Sequence, residues 1–328
     1  MSFPKRINRR QFLGQTAAVT AATAAASSFP LGALAQHAPL GDIVKRYIPG
    51  THEALPVVGI GAPDVFIQYR EEGGKDLSHQ VLQAMIDMGG RLCDTPAFFQ
   101  PDTPDPVFGE IMNDMGGIQD DLFLTTKISL PNSEPGRAAG IADAERAFSY
   151  LQKDPIDMMF VHNMHDMEHK YPIVQEYKAE GRARYIGVSR TRTTDFTDLK
   201  NFMIKEEPDV VLLGYSIYQQ GPAEQEVMAI AQDLGIAMIA VEAFKAGEDG
   251  ALFSKVAGME VPDFAKELGI ETWAQYSLKW ILGDPAMTAV VTETSRPHHV
   301  IDNMTAAFGE YPDQATRKRM SDFLLALG

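Results

Sequence analysis

Past residue 50 the chain alternates short apolar runs with amphipathic segments of helical period. The runs at 57–61, 91–95, 122–128, 156–162, 183–189, 209–216, 236–243 and 288–295 are mostly apolar and unbroken, the pattern of strands buried on both faces. Between them, 77–88 places Val81, Leu82, Met85 and Met88 at helical spacing, and 142–151, 224–234 and 273–282 repeat the pattern. Gly89-Gly90, Gly181, Pro208 and Gly235 mark junctions. A final stretch, 313–327, predicts one more helix laid over the body.

Eight such strands separated by helices call for a parallel sheet covered on its outer face. Eight is also the number that closes a barrel filled by its own side chains. The predicted fold is therefore a (β/α)8 TIM barrel over residues 55–328 with an extra C-terminal helix. The competing open, doubly wound sheet needs a glycine-rich dinucleotide turn after its first strand. Gly59-Ile60-Gly61 is not followed by a helix in that register.

The first 35 residues read differently. Asn8-Arg9-Arg10-Gln11-Phe12-Leu13-Gly14 has the twin-arginine pattern, an Ala/Thr-rich stretch follows, and Ala33-Leu34-Ala35 is a small-x-small cleavage site. The stretch is too weakly apolar to hold a bilayer. The expectation is a signal over 1–35, read by the twin-arginine export machinery and cut after about Ala35. A lead-in over 36–54 and a periplasmic mature barrel without a membrane span complete it. This segment holds Lys5, Arg6, Arg9 and Arg10 and no acid, so removing it deepens the net charge from −15 to −19. A body that acidic repels phosphate backbones, which argues against nucleic acid as a partner. The single cysteine, Cys93, allows no internal disulfide and sits in an apolar strand as a packing residue.

In a barrel of this kind chemistry gathers at the C-terminal ends of the strands. That rule selects Asp94, Lys127, His162, Ser189, Tyr215, Glu242 and Thr294. Several of these lie in motifs that resemble the aldo/keto reductase family. Arg91-Leu92-Cys93-Asp94-Thr95 is similar to its second-strand motif and Thr125-Thr126-Lys127 to its third. Asp157 through His162 resembles the fourth, Ile186-Gly187-Val188-Ser189 the fifth, and Arg296-Pro297 through Asp302-Asn303 the last loop and helix. The likeness runs in order from about Leu55 to Arg319. It is similar to a branch of exported bacterial members in the stretch Lys178–Tyr185 and in Asp302-Asn303-Met304.

The resemblance implies NAD(P)(H)-linked oxidation and reduction of carbonyl and alcohol substrates, so a small carbonyl-type ligand is the expected partner. It assigns Asp94, Lys127 and His162 to catalysis: the lysine, paired with the aspartate, lowers the pKa of a tyrosine that donates a proton, and the histidine orients the carbonyl. The tyrosine's position is Phe99, preceded by Phe98, so no hydroxyl is recovered by a shift of one. General acid catalysis contributes about 10²–10⁴-fold.

The cofactor positions depart as well. Ser189 remains, but the asparagine expected after it is Arg190, the sixth-strand glutamine is Leu212, and the seventh-strand residue against the nicotinamide is Val241. Glu242-Ala243 replaces an Arg-Pro pair and Thr292-Glu293 a Pro-Ala/Gly pair. Thr294, Ser295, Arg296 and Asn303 remain as candidate contacts. Glu293, near the expected 2′-phosphate, favours NAD(H) over NADP(H) if a dinucleotide binds. The histidines 162, 165 and 169 with Asp166 and Glu168, and the pair His298-His299, hint at metal ligands, but their loop context predicts a solvated surface instead. The resulting expectation is an oxidoreductase barrel with a degenerate active site, or a non-catalytic barrel that binds a ligand or partner.

Overall fold

Alternation within each strand builds two separate cores. Leu92, Phe123, Met158, Phe160, Val210, Leu212, Ala237, Ile239, Val241, Ala289 and Val291 form one apolar cluster inside a closed barrel. Their neighbours in sequence, such as Cys93, Leu124, Met159, Val188, Leu213, Met238 and Val290, pack outward against the helices. Burial on both faces is what the unbroken apolar runs encode.

The computed structural model describes residues 41–61, 67–95, 104–128, 134–191, 196–246 and 251–327. The signal assignment over 1–35, the start of the lead-in, Phe98 and Phe99 lie outside them. The barrel strands are β3 (Val58–Gly61), β4 (Leu92–Asp94), β5 (Phe123–Ile128), β6 (Ile156–Val161), β7 (Ala183–Arg190), β8 (Val210–Gly214), β9 (Ala237–Val241) and β10 (Met287–Thr292), all parallel, with β10 pairing back onto β3. This is a (β/α)8 TIM barrel, as the eight runs predicted. Close approach of neighbouring strands needs glycine at one point: a Cβ on Gly187 would lie 1.8 Å from the Val210 carbonyl oxygen.

Two stretches differ from expectation. The expected lead-in carries an antiparallel hairpin, β1 (Lys45–Tyr47) with β2 (Ala54–Pro56). Its Ile48 and Leu55 join the inner core. Arg46 donates to the carbonyls of Leu282 and Asp284, acceptors at and just past the end of the helix Trp273–Leu282, and to that of Met287 at the start of β10. The helix expected at 224–234 is two, Gly221–Glu226 and Met228–Leu234, parted at Val227, whose φ of −123° leaves the helical range. At the other end of the chain, the helix Gln314–Leu325 carries the buried Arg317, which donates to the Trp280 carbonyl and pairs with Glu224 and Asp284. Among the described residues no helix is long and apolar enough to cross a membrane.

Candidate active site

Inward-facing positions recur every second residue, so each strand delivers one side chain to the mouth. Asp94 ends β4, Lys127 lies near the end of β5, His162 follows β6, Ser189 stands in β7 and Val241 ends β9. Neighbouring strands align these positions: Gly61 pairs with Asp94, Lys127 with Phe160, and Ser189 with Leu212.

The acidic and basic members are locked together. The Lys127 ammonium lies 2.6 Å from both Asp94 carboxylate oxygens and donates to the Thr95 carbonyl at 2.9 Å. Those are three acceptors, as many as the group has hydrogens. Thr125 Oγ1 donates to Asp94 as well, and the Phe160 ring lies 6.0 Å from the ammonium. The pair is buried, at 5% and 10% side-chain exposure, so it is shielded from solvent.

His162 is the neutral member. Burial, then the Lys127 and His165 charges, push its pKa down to about 4. It therefore offers hydrogen bonds, not a mobile positive charge, across ordinary pH. Its Nδ1 is buried without a hydrogen-bond partner.

The loop after His162 is strained. Asn163, Met164 and Asp166 have φ of 50°, 56° and 54°, left-handed values that non-glycine residues adopt at a cost of roughly 1–2 kcal/mol each. Asn163 accounts for part of that cost. Its N–H donates to Ser189 Oγ at 2.8 Å, and its Oδ1 accepts from the Thr191 N–H at 2.9 Å and the Thr191 hydroxyl at 3.1 Å. Asp166 accepts from the Gly136 N–H at 2.7 Å and pairs with His169 at the same distance. The Gly136 N–H, then His169, holds the Asp166 carboxyl below its usual range, and Asp166 raises His169. Nothing in the sequence marks Asn163; its left-handed backbone does.

The remaining candidates scatter. Leu212 is part of the inner apolar core, and Val241 closes it from above. Glu242, at φ 58°, pairs with Lys245 at 3.1 Å. Glu293 is exposed past β10 with its chain over Gly61, where a Cβ would lie 3.1 Å from its Cγ. Thr294 Oγ1 accepts from the Arg296 N–H and bonds with His299 Nδ1, each at 3.2 Å. Ser295 is half-buried and Arg296, which precedes the helix Pro297–Thr305, is exposed. Asn303 is buried and donates to Thr292 Oγ1 at 3.2 Å, so its amide serves the strand.

Tyr215 is a correction. It follows the inward position of Gly214, so it turns outward, where its hydroxyl donates to Glu224 at 2.6 Å and accepts from Arg317 at 2.8 Å. Among the described residues, no three His, Cys, Asp or Glu side chains gather to hold a metal.

An eight-stranded parallel barrel with a buried Asp–Lys pair and a histidine at the strand ends defines a class of barrel enzyme. The model of the aldo/keto reductase family matches residues 57–318, and the chain belongs to that family of NAD(P)-linked oxidoreductases. No match is found among curated proteins. Solved structures share the fold. A thermostable aldo-keto reductase in complex with the inhibitor epalrestat is 20% identical, with 87% of this chain and 100% of that one covered at a TM-score of 0.68. The holo form of an aldo-keto reductase from Bacillus halodurans is 17% identical (86% and 96% covered, TM-score 0.65), and one from Brucella melitensis 19% (86% and 99%, 0.63).

The family implies a nicotinamide dinucleotide, whose carboxamide needs both donors and an acceptor. Arg190 supplies donors, and its Nε is buried without a partner. Ser189 Oγ already accepts from Asn163, the Asn163 oxygen is taken twice by Thr191, and Leu212 has no polar atom. Among the described residues the Ser189 hydroxyl keeps a hydrogen and a second lone pair, while Leu212 offers no polar atom where the family has a glutamine. Leu212 therefore removes one of the bonds that the family makes to a carboxamide, and Ser189 keeps another.

Proposed function

We propose that this chain is an exported aldo/keto reductase-type barrel, an NAD(P)-linked oxidoreductase by descent acting on carbonyl and alcohol compounds, with a degenerate active site. It holds a small carbonyl ligand far better than it reduces one. The carrying observation is the inequality of the mouth: the Asp94–Lys127 pair is buried and fully hydrogen-bonded, while Leu212 stands where the family has a glutamine and offers a carboxamide no polar atom. Phe99 adds the loss of the family's proton donor. Neutral His162 does not replace it as an acid, since its pKa lies near 4.

The test is consumption of reduced cofactor with a panel of small aldehydes, comparing the unmodified protein with Phe99→Tyr. Little change is expected, within about threefold, because a restored acid does nothing for a hydride source that is not positioned. A rise of about 10²-fold or more points to a site that lost only its acid. Strong turnover by the unmodified protein overturns the degenerate reading.

Weak dinucleotide binding is compatible with this reading and carries its own expectation. Glu293 is a carboxylate at the β10 end of the mouth, and a 2′-phosphate nearby adds two like charges. NAD(H) should bind more tightly than NADP(H), on the order of tenfold at low salt. Calorimetric titration of both cofactors checks it, and a preference for NADP(H) removes Glu293 from the role.

A further inference from the structure

We propose that Asn163 is a positioning residue of the mouth: it ties the imidazole of His162 and the hydroxyl of Ser189 into one unit, so that the two orient a ligand together. The inference rests on the reading that the mouth holds a small carbonyl ligand. It starts from a histidine without an anchor. A functional imidazole is ordinarily fixed by the hydrogen bond that its second ring nitrogen makes. Here Nδ1 of His162 is buried and has no hydrogen-bond partner among the described residues, so the direction of the ring rests on the main chain.

The main chain is held there at both edges of one peptide plane. The unit joining His162 to Asn163 is planar, and its N–H and C=O point in opposite directions. The N–H belongs to Asn163 and donates to Ser189 Oγ at 2.8 Å. The C=O belongs to His162 and accepts from the His165 N–H at 3.0 Å. Two bonds on opposite edges stop the plane from turning, and β6 holds the residue before it. The direction in which the His162 side chain leaves the backbone is thereby set. The pairing of Val161 with Val188 puts His162 and Ser189 next in register, on the inner row that Phe160 marks. Imidazole and hydroxyl face one mouth from neighbouring strands.

Asn163 serves this arrangement in three ways. Its backbone is left-handed, φ 50° and ψ 29°, a conformation asparagine accepts more readily than most residues with a Cβ. Its Oδ1 accepts from the Thr191 N–H at 2.9 Å and the Thr191 hydroxyl at 3.1 Å, which fastens the loop to the chain just past β7. Its N–H occupies one lone pair of Ser189 and so limits where the remaining hydrogen and lone pair of that hydroxyl point. Met164 is left-handed too, at φ 56°, so the turn does not keep its shape by local preference and depends on these bonds. Asn163 acts through His162 and Ser189, not on the ligand.

Histidine NMR on the full chain, with benzaldehyde as the probe and no cofactor, tests this. Asn163→Gly keeps the left-handed backbone and loses the grip on Thr191, and Ser189→Ala removes the acceptor of the Asn163 N–H. The His162 imidazole signal, assigned by its loss in His162→Gln, should move in both variants before any ligand is added. The signals of His52 and His79, on other elements, should stay fixed. Each variant should weaken benzaldehyde binding by about three- to tenfold, the range for one neutral hydrogen bond. The double variant should lose no more than the worse single one, because both cut the same connection. Asn163→Asp, which keeps the acceptor oxygen, should keep most of the affinity. An unmoved His162 signal, or losses that add in the double variant, overturns the proposal. Movement spread equally over His52 and His79 also overturns it, by making Asn163 a residue of general stability. Benzaldehyde binding to none of the proteins defeats the carbonyl reading, and the ligand-free His162 signal then decides the coupling by itself. Rapid reduction of benzaldehyde by the unmodified protein with reduced cofactor defeats the degenerate reading alone.

Discussion

Asp94→Asn should lower the stability of the barrel by about 3–5 kcal/mol, the range for a buried ion pair broken from one side. The variant keeps the size of the side chain and removes only the anion. Lys127, at 5% exposure, then loses its carboxylate partner and keeps the Thr95 carbonyl as an acceptor. For a chain of this length the loss corresponds to a fall in melting temperature of roughly 6–20 °C. Circular dichroism during thermal and urea unfolding measures it. A second variant separates structure from chemistry. Asp94→Asn combined with Lys127→Met takes the uncompensated charge away and leaves a neutral amide beside the Thr125 hydroxyl. The double variant should therefore recover at least half of the loss. A fall below about 2 °C in the single variant would mean that the pair is not needed for folding, and its retention would then point to chemistry.

How far the fold could be read in advance follows from periodicity. Eight apolar runs became eight strands because each is buried on both faces, a pattern that few other arrangements tolerate. The expected ends overshot at 209–216, 236–243 and 288–295. After Gly214 apolar residues continue into the helix layer, as Tyr215 and Ile217 do, whereas past Thr292 the expected end simply included polar loop residues. Two-residue parity places Tyr215 outward, since Val210 and Leu212 fix Gly214 as the inward position. The hairpin at 45–56 carries too little periodicity to be legible, since each strand is only three residues long. The role of Arg46 was hidden for another reason: its carbonyl partners lie more than 230 residues away in sequence.

The site divides along similar lines. Asp94, Lys127, His162 and Ser189 were legible because strand ends are where a barrel places its chemistry. Departures such as Leu212 and Arg190 could be named from the chain, but their consequence depends on hydrogen-bond bookkeeping. Only coordinates show that Asn163 occupies the oxygen of Ser189, or that Asn303 faces Thr292 and not the start of its helix.

Replacing Arg9 and Arg10 together by lysine should stop export almost completely. The twin-arginine pattern is read by a receptor as an address, so the guanidinium pair matters and equal charge does not substitute for it. The composition of the chain suits a route that carries folded proteins. Its one thiol is buried in β4, where desolvation pushes its pKa up, so an oxidising compartment has no disulfide to form within the chain. The buried Asp94–Lys127 pair and the Arg317 cluster need the whole barrel around them before they are satisfied. Fractionation of cells producing the natural and double-lysine chains, followed by mass spectrometry of the N-terminus, measures the outcome. The natural chain should appear in the periplasm beginning at Gln36, and the variant should remain uncut in the cytoplasm. Periplasmic variant cut after Ala35 would overturn the signal assignment, and with it the proposed location of the barrel.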